Sequence, residues 1–365
     1  MYLFHQLWFV AKIEKSCIRP AAPTIRRIGN CISRAPLHLH CERHTQLSNV
    51  NTRGDKRRAM PVKGPLALIH RTKLESVVGG RTNSRQKGAS GLARNSRIEW
   101  TTHTFNPWWG CVKVSPACKH CYAESWSKRV GQAVWGINSE RRFFGERHWS
   151  EPLRWDAEAE RSGTRVRVFC ASMADVFEDR RDLDSWRLRL WELIEATPNL
   201  DWLLLTKRPE CIVEMAPWST EWPLNVWLGT TVEDQQRAEE RLPYLSRIPA
   251  AVRFISAEPL LGPLDLSTWL PKTIDWVITG GESGPKARPS SPSWFRDLLN
   301  QCMAQDVAFH FKQWGDWAPG QCINLAKVRA EQVADGTTML RIGKKAAGRA
   351  LDGEIWDGLP RARTA

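Results

Sequence analysis

Seven short apolar runs recur along residues 103–311, and most of them close on a charged or hydroxyl residue. They occupy 103–107, 166–171, 202–205, 226–229, 252–255, 274–278 and 307–311. Runs this short and this apolar suit buried strands better than helices. Helical patterns lie between them. Residues 184–197 place Trp186, Leu190, Leu193 and Ile194 on one face, and Ala238, Leu242 and Leu245 mark a second helix. Further helices are expected over 122–129 and 293–304. Strands alternating with helices predict a parallel sheet, and near-continuous apolar runs suit strands covered on both faces. Repeated right-handed crossovers curl such a sheet. The reading is therefore an α/β protein with a full or partial (β/α) TIM-like barrel of parallel strands, and an open doubly wound sheet is the alternative. The run ends favour the barrel, because a barrel gathers its active site at the C-terminal ends of its strands. Asp175 follows the second run, Lys207 and Arg208 the third, Glu233 the fourth, Glu258 the fifth, Glu282 the sixth, and Lys312 and Gln313 close the seventh.

The first run leads into Cys111, Cys118 and Cys121, spaced C-x6-C-x2-C. Gly110 before the first cysteine and Pro116 between the first two suit a loop that bends back on itself. Cys118 and Cys121 can bring two thiolates to one metal, and the longer segment lets Cys111 reach the same ion or cluster. Three thiolates with no evident fourth leave a position open. A [4Fe–4S] cluster can keep one iron free in that way, and a zinc site can keep a place for water. Zinc could also find a fourth ligand in His120 or His103, although His120 lies inside the two-residue gap, where chelation beside both neighbours is strained. Three unrelated buried thiols are the remaining alternative.

The net charge of +14 is not spread evenly. Residues 1–97 carry 19 Lys+Arg against 4 Asp+Glu, whereas the remaining 268 carry 34 against 35. The body is close to neutral, and the basic character belongs to the N-terminal stretch. That stretch reads as a solvated, disordered arm, although a basic arm can also bind nucleic acid by counterion release. Residues 1–96 are expected to be such an extension, or upstream sequence translated from a start placed too early. Residues 97–360 are expected to form the barrel domain with a C-terminal cap. In that cap, 336–342 reads as a strand or hairpin, 343–349 as a solvated basic turn, and Trp356 as a residue docking on the body. The cysteines outside the loop show no disulfide framework, which predicts a reducing cytoplasm. No run approaches the ~18 apolar residues of a membrane span. Of 20 tryptophans, Trp186, Trp202, Trp227 and Trp276 fall on apolar faces and are assigned to the core. Trp108 and Trp109, beside the cysteine loop, are candidates to stack on bases.

A cysteine triad after the first strand of a (β/α) barrel, with Tyr122 against the last cysteine, resembles the radical S-adenosylmethionine enzymes. More closely, Asn106-Pro107, Gly110-Cys111, Ser115-Pro116, Cys118 and the segments 121–124, 256–261, 281–284, 312–315 and 343–349 resemble an uncharacterised phage-associated three-Cys-motif protein family. Its members occur in phages, prophages and bacterial chromosomes. The motifs agree in order from about Arg97 to Pro360, and residues 1–96 fall outside them. The resemblance implies a [4Fe–4S] cluster held by Cys111, Cys118 and Cys121, its open iron chelated by the amino and carboxylate groups of S-adenosylmethionine. One-electron reduction would then yield a 5′-deoxyadenosyl radical that abstracts a substrate hydrogen. It also implies an electron donor and a partner protein encoded nearby. The spacing departs from the superfamily's common C-x3-C-x2-C.

Other site candidates follow from residue type. Lys207 and Arg208 suit a carboxylate or phosphate, or an ion pair with Glu233. Glu233 and Glu258 could hold ribose hydroxyls or an amine. Gly280-Gly281-Glu282 resembles a motif that positions the methionine amino group after the second strand of radical enzymes. Here it follows the sixth run, so it is read as a tight turn presenting Glu282 to the barrel mouth. Lys312 and Asp175 are weaker candidates, and Gln313 could hydrogen-bond a substrate or pair with backbone. Two functions are carried forward: a radical-S-adenosylmethionine-like enzyme on an unread substrate, with nucleic acid a candidate, and a zinc- or cluster-bearing binding module without radical chemistry.

Overall fold

The computed structural model describes residues 95–320 and 328–361. All but the last two residues of the expected 1–96 extension lie outside that range. The seven apolar runs form seven parallel strands: β1 His103–Thr104, β2 Val166–Cys170, β3 Leu200–Thr206, β4 Val226–Thr231, β5 Val252–Ala257, β6 Trp276–Gly280 and β7 Ala308–Gln313. They lie in the sheet in chain order, each beside its predecessor. A doubly wound sheet needs its order to reverse at a switch point, so this order rules that alternative out. The architecture is the partial barrel, a parallel half-barrel.

Side chains alternate across the strands as a period of two requires. One set joins Trp100 on the concave side: Phe169, Leu203, Trp227, Val252, Phe254, Trp276 and Ile278. The other set, including Val168, Leu204, Leu228, Ile255, Val277 and Phe311, packs under the helices. Helix α1 Tyr122–Arg129 packs Ala123 with Trp109, Val134 and Met173 in a separate small cluster, whereas α2 Glu151–Ser162, α3 Asp184–Glu195, α4 Gln235–Leu245 and α5 Pro292–Ala304 lie over this face. The α3 face is as the spacing predicts, with Leu190, Leu193 and Ile194 buried and Trp186 packed at the margin. Asp234 caps α4, its side chain accepting from the Arg237 N–H.

The C-terminal segment supplies the cap. Strands β8 Trp317–Pro319, β9 Ala330–Gln332 and β10 Thr338–Arg341 form a small antiparallel sheet. The chain then returns to cover the free edge of β7. Phe311 N–H donates to Trp356 O at 3.0 Å, and Gly358 N–H donates to Phe309 O at 2.9 Å. An edge strand is thereby paired rather than left open. Among the described residues, no helix is long and apolar enough to cross a membrane.

Two predictions follow from this packing. A Cβ added at Gly229 would sit 2.4 Å from the buried Phe254 ring. Gly229→Ala should cost about 1–3 kcal/mol in denaturant unfolding, and Phe254→Leu should recover part of that loss. Separately, burial holds His148 and His310 at about 4, below the ordinary 6.5. Both imidazoles are neutral in the fold and take up a proton more readily when unfolded. Stability should therefore decline as pH falls from 6.5 towards 4, and His310→Leu should flatten that decline in urea midpoints.

Candidate active site

The cysteine loop leaves β1 alongside the exit of β2. Met173 N–H donates to Asn106 Oδ1 at 2.7 Å, and Gly110 N–H donates to Met173 O at 3.0 Å. Gly110 has φ +116, and a Cβ there would lie 2.3 Å from Val134 O, so only glycine serves immediately before Cys111. A short 3-10 turn, Pro116–Cys118, then brings Cys118 round, and Cys121 stands at the start of α1.

Cys111, Cys118 and Cys121 are free thiols, partly exposed, and all three line one cavity of about 420 Å³. Its wall includes Lys207, Arg208, Glu258, Glu282, Lys312 and Gln313, contributed by the ends of β3, β5, β6 and β7. The structure thus gathers every predicted site residue except Glu233, which lies behind the loop, fully buried.

Three of these polar residues grip the loop. Arg208 donates to Val112 O at 2.9 Å and sets Nη1 3.8 Å from Cys111 Sγ. It pairs with Asp175 at 2.8 Å rather than with Glu233. Glu233 accepts from the Ala117 N–H at 3.3 Å and pairs with buried Arg241 at 2.8 Å. Glu282 accepts from the Arg288 N–H at 2.8 Å and meets His120 Nδ1 at 3.2 Å. Arg288 in turn reaches Pro116 O at 3.2 Å. The turn that aims Glu282 depends on close backbone approach, since a Cβ on Gly281 would lie 1.9 Å from Trp314 O.

The remaining polar groups face the cavity. Lys312 lies 2.9 Å from the Glu258 carboxylate, and Gln313 Nε2 donates to it at 3.2 Å. Among the described residues, Gln313 Oε1 is buried without a hydrogen-bond partner. Lys207 and Lys344 also line the cavity, and neither has a carboxylate partner among the described residues.

Electrostatics separates the thiols. Burial pushes Cys111 up to about 12, Asp175 adding to the effect and Arg208 opposing it. At Cys118 burial also raises the value, but the Lys207 ammonium and the backbone at Val114 and Ser115 outweigh it and leave the thiol below 9.0. Burial likewise opposes ionisation of Glu233 and Glu282. It is overcome by Arg241 in the first case and by Arg288 in the second, and both carboxyls fall below 4.5.

The donor set can be tested against the two candidate metals. A single zinc needs its donors converged on one point at about 2.0–2.3 Å, and among the described residues no three His, Cys, Asp or Glu side chains so converge. The proposed fourth ligands are engaged elsewhere. His120 turns to Glu282, and His103 stacks on Trp155 at 4.3 Å. A cubane cluster takes one thiolate at each of several irons, so its ligands ring a common space. All three cysteines line one cavity, but among the described residues they are no more converged for a cluster than for zinc.

Some residues depart from the sequence reading. Trp108 and Trp109 are buried, Trp109 under the Arg142 guanidinium at 4.7 Å, so neither is free to stack on a base. Lys344, read as part of a solvated turn, lines the cavity. Arg288 was missed, because no spacing rule marks a residue that acts through Glu282.

A sequence-family profile described as "Protein of unknown function (DUF5131)" matches residues 95–360. The chain belongs to the DUF5131 family. No curated protein matches this DUF5131 member in sequence. Among solved structures, it is similar to a spore photoproduct lyase variant with bound AdoMet and dinucleoside spore photoproduct. That pair shares 11% identity, with a TM-score of 0.36 and coverage of 66% of this chain and 68% of that one. A second spore photoproduct lyase, complexed with dinucleoside spore photoproduct, gives 11%, 0.37, 70% and 72%. Superposition this loose carries no argument about activity, and the half-barrel rests on the strand order itself.

The loop grip yields a prediction. Glu233→Ala should cost about 3–5 kcal/mol by stranding Arg241 unpaired in the interior. It should also speed alkylation of Cys118 by releasing the Ala117 N–H, as followed by mass spectrometry. Because the Glu233 carboxyl sits below 4.5 in the fold, its stabilisation is full above that value and is lost as pH falls through the lowered one.

Proposed function

We propose that this protein is a radical-S-adenosylmethionine-like enzyme in which Cys111, Cys118 and Cys121 would hold a [4Fe–4S] cluster. The observation that carries the reading is the placement of all three thiols on one cavity, at the mouth where strand-end polar groups converge. When bound, the cluster would supply one-electron cleavage of S-adenosylmethionine and, through it, hydrogen abstraction from a substrate. The chain's own residues would provide position and exclusion of solvent. Arg208, Glu233 and Glu282 hold the cysteine loop against three strand ends. Glu258, Lys312 and Gln313 offer a mixed donor and acceptor wall on which a polar cofactor or substrate can be oriented. Trp100 and Phe169 close the inner end of the cavity with apolar surface. The same proposal takes in the phage setting, the cytoplasmic location, a low-potential electron donor and a partner encoded nearby. The wall's chemistry does not single out a substrate.

Anaerobic purification of the full chain tests the reading. About four irons and four sulfides per chain, lost in Cys118→Ala, are expected, together with reductive cleavage of S-adenosylmethionine. One zinc and no colour after anaerobic reconstitution would sink it and favour the zinc-bearing binding module.

A further inference from the structure

The three cysteines do not share one environment, and the difference lies in Arg208. Its side chain is buried, and its guanidinium grips both ends of one short segment. Nη1 is 3.8 Å from Cys111 Sγ, within the longer reach of an N–H···S bond, and Nη2 donates to Val112 O at 2.9 Å. The fork is itself fixed. Asp175 accepts from Nη1 at 2.8 Å, Thr206 Oγ1 accepts from the Arg208 backbone N–H at 2.9 Å, and the Thr206 hydroxyl donates to Asp175 at 2.7 Å. Among the described residues, no comparable guanidinium touches Cys118 or Cys121. At Cys111 the Arg208 cation opposes the charge of its partner Asp175 and so favours whichever redox state carries more negative charge, and its loss leaves Asp175 uncompensated. Hydrogen bonds to ligand sulfur act in the same sense.

Resting on the cluster reading above, we propose that Arg208 is a positioning residue that raises the reduction potential of the cluster, through its N–H···S contact with Cys111 and its buried charge. The step concerned is the gain of one electron from an external one-electron donor, with no bond made or broken in the protein. Loss of the cation should leave the cluster harder to reduce.

The test begins with iron and sulfide content of the full chain, followed by dithionite titration monitored by electron paramagnetic resonance. Arg208→Gln keeps a donor for Val112 O but removes the charge. It should make reduction at least tenfold less favourable, a fall of about 59 mV for one electron. Arg208→Lys keeps the charge and should fall by less. A cluster-bearing Arg208→Gln protein that titrates with the wild type would overturn the proposal while leaving the cluster reading intact. Should Arg208→Gln hold no iron, the wild type decides the matter. With arginine labelled by ¹⁵N in the guanidinium, the reduced cluster should show ¹⁵N spin-echo modulation, and its absence overturns the assignment. A wild type without iron and sulfide removes the cluster reading first, and this assignment with it.

Discussion

The cysteine loop bonds to itself through one 3-10 turn, and it depends further on partners that the sheet supplies. Each grip couples a strand end to one loop atom: Arg208 to Val112 O, Glu233 to the Ala117 N–H, and Glu282, through His120 and Arg288, to the segment around Pro116. All three gripping charges are buried, Glu233 most completely, and each is paired at once with an opposite charge, Asp175, Arg241 or Arg288. Burial of a lone charge costs several kcal/mol, so such grips persist only as pairs. The pairs fix where the charges sit, and the charges fix where the thiols sit.

The same economy of space explains the cavity. A complete barrel fills its interior with layers of side chains. Here seven strands stop short of closure, and large aromatics, Trp100, Phe169, Phe254 and Trp276, pack its interior. Trp100 meets Phe169 at 4.6 Å and Trp276 edge-on at 6.2 Å, so the inner end is solid. The mouth stays open because its residues are spent on the loop and on one another. The C-terminal segment then pairs with β7 and brings Lys344 to the cavity wall. The cap is therefore part of the site as well as a cover for an edge.

The first strand run, 103–107, was legible mainly from its place before the cysteine loop. Most of the strands were legible because their runs are short and largely apolar, with few polar interruptions such as Arg167 and Arg253, as covered parallel strands require. Helix α3 was legible for the same kind of reason, its period being long enough to show one face. The cysteine triad and the strand-end polar residues were legible by type and position. Their division of labour was not. Glu233 and Glu258 look alike in sequence, each a glutamate after an apolar run, yet one lies behind the loop and the other on the cavity. The difference comes from Arg241 on α4, whose turn back toward β4 captures Glu233. Pairings between residues on separate elements carry no local signal, which is also why Arg288 and Lys344 were unread.

The resulting asymmetry constrains how the site can work. The loop-gripping charges stand in pairs, and of the three only Arg208 also reaches a thiol, 3.8 Å from Cys111 Sγ. The Lys312–Glu258 pair is neutral, whereas the Lys207 charge is felt by both Cys118 and Glu233, and Lys344 adds an ammonium with no ion pair among the described residues. The wall thus combines paired charges, an amide and ammonium groups beside three thiols at one mouth.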